Sequence, residues 1–133
     1  MRMLIGLLLL TASLLSLGAL LSGGDYPERV LPGGLPVGNV LAAVGLCSLA
    51  GAALFLSPPD SVRHRASSLA LVVAVIWLPL SVALAGNLAL NFSGPLGATW
   101  LTVSSLTVIA VVGSFFWAVI GLLLGSWGKS SAA

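Results

Sequence analysis

From Ala66 to Gly128 the chain contains no Asp, Glu, Lys, Arg or His. A stretch of that length without such groups has no polar shell to present to water, so it is built for lipid. The rest of the chain agrees: 59% of its 133 residues are hydrophobic and 6% are charged, against about a quarter charged in a soluble domain. Five basic and three acidic residues cannot solvate a fold of this size. The class left is a single-domain integral membrane protein.

A helix needs roughly 20 apolar residues to cross the hydrocarbon. Four runs meet that need, at residues 4–21, 38–57, 67–88 and 100–125. They are continuously apolar and lack the period-two alternation of a barrel strand. Lipid also requires each segment to pair its own backbone amides, which a helix does. The connections are short. Residues 22–37 carry three prolines and four glycines, which forbid regular helix. Residues 58–66 open on Pro58-Pro59, which ends the second helix. Asp60 or Ser61 begins the approach to the third, with Ser67 as a candidate cap. Residues 91–99 form the third loop. Short connections set neighbouring helices antiparallel. The expected fold is therefore all-α: an integral membrane four-helix bundle made of two transmembrane helical hairpins, one transmembrane domain over 1–133.

Charge orients the chain, because basic residues beside spans stay cytoplasmic. Arg2, Arg63, Arg65 and Lys129 fall on one side of a four-helix path, and Arg29 falls on the other beside Asp25 and Glu28. Both termini are therefore expected in the cytoplasm, and high Leu, Ala and Gly use points to a bacterial cytoplasmic (inner) membrane. The opening Met-Arg-Met and apolar run also resemble a secretory signal; the length of the run and the lack of an Ala-x-Ala site favour retention. Tyr26, Trp100 and Trp127 are expected at the interfaces, where amphipathic rings meet headgroups. Trp77 and Trp117 fall near mid-membrane as packing or lipid contacts, or as the lining for an apolar ligand or pigment.

The fourth helix has the most specific pattern. Ser104, Thr107, Ala110, Ser114, Ala118, Gly121 and Gly125 recur every three or four residues, which places them in one narrow stripe. Small stripes let two helix backbones approach closely, and Gly121 to Gly125 has the GxxxG form of that device. Similar ridges run through Ala43, Cys47 and Gly51, and through Ala70, Ala74, Ser81 and Ala85. They serve packing within the bundle or against a partner. Pro79 removes one amide donor from the third helix and predicts a kink. Asn39, Asn87, Asn91, Thr99, Thr102, Ser104 and Ser105 gather toward the external half, at the depth of headgroups and water. Asn91-Phe-Ser93 matches a glycosylation acceptor too close to the membrane to carry weight.

Much chemistry is missing. No carboxylate, lysine, arginine or histidine lies deep in a span, where a proton-driven carrier needs an ionisable group. Small four-helix multidrug carriers share the size, but the first helix lacks their membrane glutamate. The single cysteine, Cys47, allows no internal disulfide and sits among apolar neighbours as a packing residue. His64, the one histidine, cannot supply paired haem ligands; it is expected to be solvated or to touch headgroups. Asp25 and Glu28 lie across the membrane from Asp60, so no acid–base pair forms, and His64, the base a serine nucleophile would need, lies away from most candidate hydroxyls. The basic residues make no patch for nucleic acid.

These features predict no enzyme activity in the chain alone, no metal site and no cofactor held by it alone, though lipid or a cofactor shared with partner chains fits. The expected role is a small accessory or structural subunit of a larger multi-subunit membrane complex, non-catalytic even within an enzyme. Its expected partners are other integral membrane subunits and lipids. Two alternatives stand beside it. One is a homo-oligomeric channel, holin-like pore or lipid transporter lined by the hydroxyls of the fourth helix. The other is a membrane-protein assembly factor.

Overall fold

Four runs of apolar sequence become four helices. The computed structural model describes residues 1–87 and 96–130, with side chains as far as residue 124. Helix α1 is Arg2–Leu21, α2 is Val37–Leu56, α3 is Val62–Ala85 and α4 is Gly97–Ser130. Each is long and apolar enough to cross a membrane, and the described residues contain no sheet. A short 3-10 turn, Tyr26–Glu28, lies in the first connection, which an isolated bridge between Val30 and Pro36 then tightens.

The third helix begins five residues earlier than the sequence predicts. Asp60 takes a left-handed backbone, φ 62°, and turns the chain back. Ser61 then caps the helix, its hydroxyl accepting from the His64 amide at 3.1 Å. Such a cap supplies a partner for one of the orphan donors of the first turn. Ser67, the other candidate cap, is buried inside the helix instead. Arg63, His64 and Arg65 therefore belong to the first turn of α3 and not to a loop. The helix runs uninterrupted through Pro79, which is exposed, and stops at Ala85 before Gly86 at φ 66°. Helix α4 starts at Gly97 and continues past 125 to Ser130. Asn91 and Ser93 lie outside the described residues.

Helix α2 is the hub. It packs against α1, α3 and α4, while α1 packs chiefly on α2. Leucines of α1 fill glycine positions on α2: Leu9 faces Gly51, Leu17 faces Gly45 and Leu20 faces Gly38, while Leu56 of α2 faces Gly6. Numbers rise along one helix as they fall along the other, so the two run antiparallel. Ser13 donates to the Gly45 carbonyl and Ser16 to that of Leu41, each at 2.8 Å. Close glycine contact is what brings these hydroxyls within reach of a neighbouring helix backbone.

On its other side α2 meets α3 and α4 through small residues. Ala42, Ala43 and Ala50 pack with Ala70, Ala74, Trp77 and Val111. The large aliphatics point outward: Leu8, Leu14, Leu15, Leu69, Leu106 and Ile109 are all exposed. That inverts the soluble pattern. Lipid tails are as apolar as leucine, so burying leucine gains little and close packing of small residues decides the arrangement.

Candidate functional site

Three features stand out: a buried polar tie, a basic end and an open groove. The tie joins three helices. Asn39 on α2 is fully buried, and its Nδ2 donates to Ser81 Oγ on α3 at 3.0 Å and to the Gly86 carbonyl at 3.1 Å. Trp100 on α4 donates from Nε1 to the same Ser81 oxygen at 2.9 Å. One turn further along α3, Trp77 Nε1 donates to Ser104 Oγ at 2.9 Å. A buried indole N–H needs an acceptor, and each tryptophan finds a serine on the other helix.

Trp100 is 7% exposed, its ring packed inside the bundle. One expectation is corrected. Asn39 does not meet headgroups, because the tie takes it inside. The signal was the pairing of isolated polar residues with tryptophans on different helices, which hydropathy does not register. Tyr26 is half-buried and closes the end of α1, its hydroxyl donating to the Ala19 carbonyl and lying 2.6 Å from Ser22 Oγ. Asn87 reaches back to the Glu28 carbonyl at 2.9 Å.

Helix α4 presents most of its small stripe inward. Thr107, Ser114 and Ala118 are buried, and Ser104 and Gly121 are half-buried. Thr107 donates to the Val103 carbonyl and Ser114 to that of Val111, so both hydroxyls bond within α4. Ala110 is exposed, and Val111 occupies the inner position. At about 100° per residue, Ala110 falls roughly 70° off the centre of the face formed by Thr107, Val111, Ser114 and Ala118. Ala43, Gly51, Ala70, Ala74, Ser81 and Ala85 are buried and Cys47 is half-buried. Gly125, Trp127 and Lys129 have side chains outside those described.

The basic residues of α1 and α3 meet at one end. Arg2 Nη2 donates to the carbonyls of Ser57 at 3.0 Å and Leu54 at 3.3 Å, at the carboxyl end of α2. His64 is half-buried, with Nδ1 3.3 Å from the same Leu54 oxygen; it lies in the first turn of α3, not in a loop. Arg65 is exposed. The Arg63 guanidinium lies directly over Gly121. The first glycine of the GxxxG pair thus admits an arginine head, not a helix backbone. Gly121→Ala is expected to shift stability by less than about 1 kcal/mol, because the far end of a flexible side chain moves cheaply and alanine favours helix. Denaturant titration of the variant in micelles checks this; a loss well above that range would mean that Arg63 is fixed.

The groove lies between α3 and α4. Ala66, Ala70, Ala110, Gly113, Ser114 and Trp117 border an open apolar recess of about 380 Å³, with Leu69, Val73 and Ile109 along its sides. Trp117 is nearly half exposed at its edge. No group of three or more His, Cys, Asp or Glu that could hold a metal occurs among the described residues. Comparison with protein-family models, with curated proteins and with solved structures finds no match for this chain.

Proposed function

We propose that this four-helix membrane-spanning chain is a small non-catalytic subunit of a larger membrane complex, and that the α3–α4 groove seats a transmembrane helix of another subunit. The open small-residue groove carries this reading. Its floor has the side chains that allow close backbone approach in lipid, yet Ala110 and Gly113 are exposed and a Cβ at Gly113 would meet no described residue within 4 Å. The proposed arrangement is two hairpins with the basic end, and hence both termini, in the cytoplasm of a bacterial inner membrane. Catalysis and any tightly held cofactor then belong to partner chains. The pore alternative draws on the Ser/Thr side of α4, where Thr107 and Ser114 are buried, Ser104 is half-buried and Ser105 is exposed; accessible cysteine substitutions at Ser104, Thr107 and Ser114 would favour it, and protected ones favour packing.

Purification in nanodiscs with native mass spectrometry tests the reading. A hetero-complex at fixed stoichiometry is expected. A homo-oligomer alone, or a client bound in variable substoichiometric amounts, overturns it. Gly113→Leu sharpens the test, because a Cβ there would meet no described atom within 4 Å. The variant is expected to fold as wild type and to lose the partner at least about tenfold, the scale of blocking one close-packed contact. Retention of the partner by Gly113→Leu would move the interface elsewhere.

A further inference from the structure

At the basic end a second pocket, of about 280 Å³, is bordered by Arg2 and Met3 of α1, Phe55 and Leu56 of α2, Ser57-Pro58-Pro59 and Leu122 of α4. Its wall is apolar on the hydrocarbon side and carries donors at the end. Ser57 is 1% exposed, and its hydroxyl is buried with no hydrogen-bond partner. A buried hydroxyl left in that state costs free energy unless a ligand or water satisfies it. Arg2 uses Nη2 on the two carbonyls. Arg63 lies on Gly121, the chain neighbour of Leu122, and adds positive charge beside the pocket.

We infer that this pocket binds the phosphate of an anionic glycerophospholipid, with the start of one acyl chain against Met3, Phe55, Leu56 and Leu122. Arginine matches phosphate oxygens with its planar fork. Charge complementarity selects an anionic lipid, and the apolar wall selects a lipid over a free ion. The inference is independent of the partner proposed for the α3–α4 groove, on another part of the surface.

The test uses the full chain in nanodiscs of phosphatidylcholine, with or without phosphatidylglycerol as the minor lipid. Native mass spectrometry after partial delipidation is expected to show phosphatidylglycerol retained on wild type. Arg2→Gln is expected to weaken retention about fivefold, the factor one arginine near the surface contributes toward anionic lipid. Ser57→Ala is expected to weaken retention while leaving the Tm in pure phosphatidylcholine unchanged or higher, since it removes an unpartnered hydroxyl. That combination separates ligand loss from misfolding. Arg65→Gln, at the same end but outside the pocket, is expected to retain the lipid within about twofold.

Three results would overturn the inference. The first is no preference for phosphatidylglycerol over phosphatidylcholine. The second is equal weakening by Arg65→Gln and Arg2→Gln, which marks a diffuse surface field. The third is a Tm rise from millimolar inorganic phosphate equal to that from phosphatidylglycerol, which marks a free-anion site.

Discussion

Ser81→Ala is expected to destabilise the bundle by about 1–3 kcal/mol, two interhelical hydrogen bonds at the values measured in membrane proteins. The Ser81 oxygen is the acceptor shared by Asn39 of α2 and Trp100 of α4. Its loss weakens both contacts at once, and because the oxygen is buried, 1% exposed, water does not readily replace it. Ser68→Ala is the control, since that hydroxyl bonds only to the His64 carbonyl one turn back in its own helix. Reversible unfolding in mixed micelles gives the free energies, and the indole N–H resonance of Trp100 reports the bond directly. If Ser81→Ala and Ser68→Ala cost the same, the tie does not hold the three helices together.

Gly45→Val is expected to cost a similar 1–3 kcal/mol, by overpacking. A methyl group on Gly45 would meet both Cγ and Cδ2 of Leu17 at 2.6 Å. The branch point of a leucine cannot turn away as a terminal methyl can, so α1 must shift. The shift also strains the bond from Ser13 to the Gly45 carbonyl. Gly51→Ala is the milder comparison, because only the Cδ1 methyl of Leu9 stands there, at 3.1 Å. Trimming the knob should relieve the clash: Gly45→Val with Leu17→Ala is expected to be more stable than the sum of the single changes allows. Strict additivity would mean that Leu17 does not fill this position.

The candidate surfaces were partly legible. The stripe on α4 follows from the spacing of Ser104, Thr107, Ser114, Ala118 and Gly121, because a helix period is a property of the local chain. The place of Ala110 was not, since a stripe seven residues long does not say where its edge lies. Ser61 and Ser67 each had the chemistry of a cap, and only the reversal at Asp60 chose between them. Arg63 over Gly121 had no signal at all, because GxxxG reads alike whether a backbone or an arginine head enters the notch. The groove likewise depends on which small residues remain uncovered after the helices have packed.

The sequence by itself determined the four apolar helices, their approximate lengths and the gathering of most positive charge into particular segments. Each follows from a local cost: an unpaired amide or a charge in hydrocarbon. Tertiary structure decided that α2 is the hub, that α1 leans chiefly on α2, and that Asn39, Ser81 and Trp100 meet. The reason is that lipid and the interior of the bundle are equally apolar. Hydropathy separates both from water but cannot tell a leucine facing lipid from one facing a helix. Only the fit of small residues, hydroxyls and indoles across different helices breaks that tie.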